Sequence, residues 1–242
     1  MEVALERVPL QIEALFLCTV LVVLGLFVLA VRFAAQSTGQ KDVGLWTVRA
    51  AAGAAIWLAA TGLLTLTGVL RDFSLPPNIM GLFLVSLALT TCVAFSRVGT
   101  ALVIGIGPVG LIGFQLFRVP VEVFLHGMYQ VGQTPVQMTY AGLNFDIFSG
   151  LTAPAMAWLV WRGQVGRYSI WLWNMFGLML LLAIVAISVF SMPTEFRVFT
   201  VEPANTFVAY VPYVWLPTVL VQAAFLGHLL VFRWLWANRV RK

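Results

Sequence analysis

The chain has 242 residues, of which 61% are hydrophobic and 10% are charged, and its net charge is +5. Soluble globular domains carry about 25% charged residues, so this chain has too few charges to cover a water-facing surface. Its composition excludes an ordinary soluble domain and predicts an integral membrane protein. At about 20 residues per span, the length accommodates roughly seven transmembrane helices and leaves no room for a second domain.

The basic residues lie singly beside apolar runs, as in the loops of membrane proteins, and this distribution argues against nucleic-acid binding. Cys18 and Cys92 both lie inside apolar runs, so we expect neither a disulfide framework nor a cysteine metal site. A cleavable signal peptide is not expected either, because acidic Glu2 and Glu6 stand where a basic segment would precede the apolar run.

Seven apolar stretches follow one another along the chain and are separated by short polar or Pro- and Gly-containing segments. They cover residues 12–31, 48–70, 79–96, 109–130, 147–162, 169–190 and 207–234. The predicted fold class is therefore all-α: one polytopic transmembrane bundle of about seven helices over residues 1–242. Residues 98–108 are apolar but broken by glycines and Pro108, which indicates an interfacial turn or a re-entrant piece before the fourth span.

The loops predict the orientation, because cytoplasmic loops of membrane proteins are enriched in Lys and Arg. One side collects ten basic residues: Arg32, Lys41, Arg49, Arg97, Arg162, Arg167, Arg233, Arg239, Arg241 and Lys242. The other side collects three, namely Arg7, Arg71 and Arg197. Most tryptophans fall at the ten-residue side, as an interfacial aromatic belt would. We therefore expect the N-terminus outside and the C-terminus in the cytoplasm.

The fourth span carries a polar stripe that is unusual for a transmembrane helix. Gln115, Arg118, Glu122, His126 and Tyr129 are spaced by three or four residues, so a helix places all five on one face. Arg118 would lie about 14 Å from the cytoplasmic end, close to the bilayer midplane. Because an unpaired arginine there costs at least ~2.5–3.5 kcal/mol, Glu122 is the expected partner. The stripe predicts either an outward-facing polar cavity or a buried ion pair that only fixes helix register.

Further polar residues lie at the outer ends of the later spans. Asp146 immediately precedes the fifth span, where a carboxylate is expected to cap the helix. Arg197, Glu202 and Asn205 lie in the loop before the seventh span, where Asn205 or Thr206 is a natural N-cap. Pro212 and Pro217 predict that this last helix starts with a kink or an interruption.

A metal or cofactor site is not predicted. Glu122, His126, Asp146 and Glu202 could meet near the outer face, but they come from three segments without the spacing of metal ligands. His228, the second histidine, is expected at the cytoplasmic end of the seventh span, across the membrane from His126, in a structural role.

Three hypotheses of function follow. The first is a protein that binds or transports a small molecule or ion, with Gln115, Arg118, Glu122 and His126 lining the cavity and Asp146, Arg197, Glu202 and Asn205 at its mouth. The second is an intramembrane enzyme on an outer-leaflet lipid or lipid-linked substrate, with His126, Glu122 and Asp146 as acid–base residues. The third is a structural subunit of a homo-oligomer or a larger membrane complex. The expected depth of Arg118 favours the first hypothesis, because an outer-leaflet enzyme has no need of an arginine near the bilayer midplane.

Three segments, FRVPVEVFLH, PVQMTYAGLNFDIFSGLTAP and FRVFTVEPANTFVAYVPYVWLPTVLV, resemble a group of bacterial integral membrane proteins without an assigned function. The resemblance covers roughly residues 108–235. It implies a multi-pass protein of the bacterial inner membrane and supports the seven-span arrangement. It implies no substrate, reaction or site residue.

Overall fold

A computed structural model describes residues 8–237 and shows a helical bundle, with no strand in that part of the chain. The α-helices are α1 (Leu10–Ser37), α2 (Val43–Leu66), α3 (Asn78–Phe95), α4 (Arg97–Gly113), α5 (Arg118–Gln130), α6 (Ile147–Trp161), α7 (Arg167–Phe190) and α8 (Val221–Ala237). A 3₁₀ turn over Phe114–Phe117 joins α4 to α5 in one broken helix, Arg97–Gln130. The predicted all-α fold class is confirmed.

Six helical stretches are long and apolar enough to cross a membrane: Leu10–Ser37, Val43–Leu66, Asn78–Phe95, Arg97–Gln130, Arg167–Phe190 and Leu216–Ala237. A seventh helix, Ile147–Trp161, is apolar but shorter. Each corresponds to one predicted span. The orientation stays a prediction, and four of its basic residues (Arg7, Arg239, Arg241 and Lys242) lie outside the described residues. Following it, we call the end of the bundle with the α1–α2, α3–α4 and α6–α7 connections the inner end.

The fourth span begins earlier than predicted. Ser96 alone separates α3 from α4 and caps α4 by accepting hydrogen bonds from the backbone N–H groups of Val98 and Gly99. Residues 98–106 are therefore helical and the predicted interfacial turn is wrong there, while the alternative of a re-entrant piece stays a prediction. At 1.5 Å per residue, 34 residues in one straight helix would measure about 51 Å, well above the ~30 Å of a bilayer core. Gly107, with φ of 66°, breaks the helix instead.

The last span begins with the predicted interruption. A 3₁₀ turn at Phe207–Ala209 and a π-helical turn at Leu216–Leu220 precede α8. The prediction of a side-chain N-cap is wrong for both candidates. Thr206 stands at the N-cap position of the 3₁₀ turn but its side chain makes no capping hydrogen bond. Asn205 instead donates hydrogen bonds to the backbone oxygen and the hydroxyl of Ser188, near the end of α7. The loop is tied to α7, and the helix begins only at Leu216, after Pro212 and with Pro217 in its first turn.

The broken fourth helix and α8 form the centre of the bundle. An aromatic cluster of Phe16, Phe124, Phe207 and Tyr213 packs the outer half, with ring centroids 4.5–6.4 Å apart. A second apolar cluster around Ile112 and Val231 packs the inner half. The junction of α4 and α5, where Arg118 begins α5, therefore lies between the two packed halves.

Candidate functional site

Arg118 is bound by Asp146, not by Glu122 as predicted. Its Nε donates to Asp146 Oδ2 at 2.7 Å and its Nη2 donates to Oδ1, and both side chains are buried. Asp146 stands at the N-cap position of α6 without capping the helix, so the capping prediction is also wrong. Gly150 explains the pairing: a Cβ there would lie 3.3 Å from Arg118 Cβ, so α6 packs directly against the start of α5.

Glu122 is held by Asn144 from the α5–α6 loop. Asn144 Nδ2 lies 2.8 and 2.7 Å from the two carboxylate oxygens of Glu122 and also 3.0 Å from the carbonyl oxygen of Met138. Asn144 Oδ1 accepts a hydrogen bond from the backbone N–H of Asp146 at 3.0 Å. One asparagine thus fixes the position of both carboxylates.

His228 belongs to this cluster, and the prediction that it lies at the cytoplasmic interface is wrong. It is fully buried, with Nε2 3.0 Å from Arg118 Nη1 and Nδ1 2.8 Å from Asn174 Oδ1. A guanidinium only donates hydrogen bonds, so Nε2 must be an acceptor and Nδ1 must carry the proton given to Asn174. The contacts therefore require a neutral imidazole. Asn174 Nδ2 completes the link by donating to the backbone oxygen of His228 at 3.1 Å.

Gly177 of α7 allows the helices to approach this point. Its carbonyl oxygen accepts a hydrogen bond from Arg118 Nη1 at 3.4 Å. A Cβ on Gly177 would lie 2.8 Å from His228 Cε1, too close without a shift of the ring, and 3.2 Å from Ser149 Oγ, a tight contact. Helices α5, α6, α7 and α8 thus meet at one buried cluster, which we call the Arg118 cluster: Arg118, Glu122, Asn144, Asp146, Asn174 and His228.

The charges of the Arg118 cluster cancel only when one of its two acids is protonated. Glu122 and Asp146 supply two carboxylates, Arg118 supplies one guanidinium, and the hydrogen bonds of His228 leave its ring neutral. A buried charge needs a compensating partner. When both acids are ionised, the cluster has one negative charge in excess, which a proton or a bound cation would balance.

A cavity adjoins the Arg118 cluster on its outer side. Arg118, Glu122 and Asp146 form its polar end, and the centre of a water molecule can reach about 80 Å³ of it. The remaining wall is mostly apolar and includes Phe83, Val121, Leu125, Val185, Val189 and Leu220. The expectation of a polar cavity is thus met only at one end. The volume suits several water molecules or a ligand of a few atoms.

The rest of the predicted stripe makes separate contacts. Gln115 is buried and donates from Nε2 to the carbonyl oxygen of Ala224 at 3.1 Å. His126 stacks on Tyr140 with ring centroids 4.4 Å apart, and its Nε2 lies 3.3 Å from Gln130 Nε2. Tyr129, 38% exposed, also faces His126. None of these three makes a hydrogen bond with Arg118 or Glu122 in the described part of the chain.

The predicted mouth residues form a local loop structure instead. Arg197 Nη1 lies 2.8 Å from Glu202 Oε1, and the Glu202 side chain is 72% exposed. Arg197 also donates to the carbonyl oxygens of Phe199 and Val201 within the same loop. Asn205 is bound to α7, as described above. None of these three lines the cavity beside the Arg118 cluster.

The Arg197–Glu202 pair predicts a small pH effect. The hydrogen bond from Arg197 lowers the pKa of Glu202 below its ordinary value of 4.5. Because the folded-state pKa is the lower one, the stabilisation is present above pH 4.5 and is lost as the pH falls through the folded value. We expect Glu202→Gln to lower Tm by at most about 2 °C at pH 7, since exposed ion pairs contribute little. In Tm measurements from pH 7 to pH 3, the difference in Tm between Glu202→Gln and wild type should shrink once the pH is below 4.5. A constant or growing difference would contradict this prediction.

The sequence pattern did not identify Asn174, His228 and Gly177 as neighbours of Arg118. Asn174 is the clearest missed signal, because a fully buried amide inside the apolar run WLWNMFG requires partners. Gly177 follows it by three residues, on the same helical face. Asn174 and Gly177 together mark the face of α7 that approaches α8.

Comparison with known proteins adds no relative: no family model, no curated protein and no solved structure matches this chain. The resemblance of residues 108–235 to bacterial membrane proteins therefore stays a prediction.

Proposed function

We propose that the chain is a multi-pass protein of a bacterial inner membrane that binds a small cation at the Arg118 cluster and transports it. The observation that supports this most is the excess carboxylate at the polar end of the cavity. Two buried acids and one arginine adjoin a space for a few atoms. Buried ionisable residues inside membrane spans are usually part of ion or proton pathways.

The charge arrangement favours a cation over an anion. Arg118 already has a bidentate carboxylate partner, so it has no free charge for an anionic ligand. Among residues 8–237, the only hydrogen-bond donor to Glu122 is the neutral amide of Asn144. A small cation or a transferred proton therefore fits beside Glu122, and the apolar wall would exclude larger hydrated ions.

A purified-protein assay tests this proposal. The Tm in detergent is measured with sodium, potassium, ammonium, methylammonium or guanidinium as chloride salts, and with matched sodium salts of acetate, nitrate and phosphate. We expect one cation to raise Tm by several degrees, because a ligand at 100 times its Kd adds about 2.7 kcal/mol. Glu122→Gln should fold and lose this shift. Uptake of the same cation into proteoliposomes should also be lost in Glu122→Gln.

A variant that fills the cavity beside the Arg118 cluster provides a second test of cation binding. Val185→Phe places a ring in the cavity wall, whereas Met179→Phe on the same helix replaces a side chain that is 61% exposed. We expect the first to abolish the cation shift and the second to retain it. The proposal is wrong if no cation shifts wild type, or if Glu122→Gln and Val185→Phe both keep the shift and the flux.

The enzyme hypothesis receives less support. Its predicted acid–base residue His126 makes no hydrogen bond with Glu122 or Asp146 in the described chain and instead contacts Gln130 and Tyr140. Glu122 and Asp146 are 1% and 5% exposed, so a lipid substrate would reach them only through the narrow cavity. The alternative that the ion pair only fixes the helices is supported by the same four-helix contact at the Arg118 cluster, and the first prediction of the Discussion separates it from binding.

A further inference from the structure

A second and much larger opening lies in the inner half of the bundle, away from the Arg118 cluster. It is a cleft of about 1330 Å³ between α1, α2, α3, α4 and α8. Pockets for drug-sized ligands measure roughly 300–1,000 Å³, so this cleft suits a larger ligand. Most of its lining is apolar, for example Leu24, Phe27, Val31, Leu226 and Leu230.

The cleft opens sideways toward the bilayer because α2 stands apart from α3. Helix α2 packs against α1 but makes no substantial contact with α3 in the described chain, and none of its most apolar window is buried. Two indole hydrogen bonds tether α2 near its middle: Trp57 Nε1 donates to the carbonyl oxygen of Thr218 at 2.9 Å, and Trp215 Nε1 donates to that of Leu58 at 3.3 Å. The tether closes the cleft at mid-depth and confines it to one leaflet.

The inner end of the cleft is positively charged. Arg49 of α2 and Arg97 of α4 both line it and both are exposed. Neither makes a hydrogen bond or ion pair with another described residue, and no Asp or Glu contributes to the described lining. Trp46, Thr38 and Gln40 lie at the same end and supply the interfacial ring and hydrogen-bonding groups that suit a headgroup.

From these features we infer that the cleft binds one anionic phospholipid of the inner leaflet. The phosphate lies between Arg49 and Arg97, and the acyl chains run along α1, α4 and α8 up to Trp57. Arginine binds phosphate oxygens bidentately, and basic pockets between helices at the cytoplasmic side recognise anionic headgroups. The lipid fills the gap between α2 and α3 that the protein leaves open. This inference is independent of cation binding at the Arg118 cluster.

Native mass spectrometry of the full chain in mild detergent, titrated with dioleoyl phosphatidylglycerol or dioleoyl phosphatidylcholine, tests the inference. We expect one phosphatidylglycerol per chain to bind in preference to phosphatidylcholine. Arg49→Gln/Arg97→Gln should weaken phosphatidylglycerol binding about 30-fold, since each basic residue near an anionic lipid contributes about fivefold. The matched control Arg32→Gln/Lys41→Gln removes the same charge from the same end without altering the lining, and should bind like wild type.

A third variant tests the acyl-chain part of the cleft. Gly53 lines it from α2, and a Cβ there meets no atom within 4 Å, so the side chain of Gly53→Phe starts in open space and adds a ring to the cleft. It should reduce the binding of both lipids while Arg49 and Arg97 stay in place. Equal binding of the two lipids by wild type would overturn the inference, as would equal loss in the control variant. Displacement by glycerol phosphate alone, or a lipid-free dimer as the stable species, would also overturn it.

Discussion

Arg118→Met is expected to lower the free energy of unfolding by about 3–5 kcal/mol, the largest effect we predict for a single substitution. The variant removes the partner of the buried Asp146 carboxylate and leaves that charge uncompensated. It also removes the hydrogen bonds to the Gly177 carbonyl oxygen and to His228 Nε2. At about 2–4 °C per kcal/mol for a chain of this size, Tm in detergent should fall by roughly 6–20 °C.

A double-mutant cycle identifies the partner. Arg118→Met/Asp146→Leu removes both charges and should recover much of the lost stability, because an apolar pair can replace a buried ion pair. Arg118→Met/Glu122→Gln leaves Asp146 unpaired and should recover less. Arg197→Met is the matched control, since Arg197 pairs with an exposed glutamate in a loop, and its Tm should change little. Greater recovery with Glu122→Gln than with Asp146→Leu would contradict the observed pairing.

The same cycle separates a structural cluster from a binding site. If the double variant Arg118→Met/Asp146→Leu regains wild-type Tm and wild type shows no cation-dependent shift, the cluster only holds four helices together. If the cation shift exists in wild type and is lost in the folded Glu122→Gln variant, the cluster binds a ligand. Both roles predict that Arg118→Met alone is unstable. Only the dependence of Tm on the cation therefore distinguishes them.

The seven spans could be predicted from the sequence because a helix that faces lipid needs a long apolar run, whichever helices it packs against. All seven predicted stretches correspond to helices in the structure. The boundaries differ where local backbone geometry decides them. Apolar glycines at 99, 105 and 107 resembled a turn, yet the first two are helical and allow close packing, with Gly105 against Ala34 of α1. Only Gly107 has a positive φ and breaks the helix.

The cluster was only partly predictable because its pairs join different helices. The predicted stripe assumed one regular α-helix over 109–130, which favours the Arg118–Glu122 pair. Arg118 and Glu122 do share one regular helix, α5, but Gly150 lets α6 approach it, so that Asp146 binds Arg118 and Asn144 binds Glu122. The 3₁₀ turn at Phe114–Phe117, with three residues per turn, changes the phase of Gln115 relative to them. A seventh span that begins at residue 207 predicts an interfacial position for His228. Since the helical span begins at Leu216, His228 lies near the middle of it.

Gly177→Ala is the second large effect, and we expect it to lower the free energy of unfolding by about 1–3 kcal/mol. The new methyl group would lie 2.8 Å from His228 Cε1, and the ring cannot move without loosening its contacts with Arg118 at 3.0 Å and Asn174 at 2.8 Å. Gly25→Ala is the matched control: Gly25 is an exposed glycine inside α1 with no atom within 4 Å of its Cβ position. There alanine should leave Tm unchanged or raise it, because alanine favours a helix by about 1 kcal/mol over glycine.

Repeating Gly177→Ala in a His228→Ala chain shows which contact causes the loss of stability. In a His228→Ala chain the ring is absent, so adding Gly177→Ala should cost little beyond His228→Ala alone, and Tm measurements of the four proteins give the coupling directly. If Gly177→Ala costs the same with and without the ring, Ser149 Oγ, at 3.2 Å, is the obstacle rather than the histidine. If Gly177→Ala is as stable as Gly25→Ala, the close approach of α7 and α8 at the Arg118 cluster is wrong. The test therefore probes the close packing of α7 against α8, on which the proposed arrangement of the Arg118 cluster and its cavity depends.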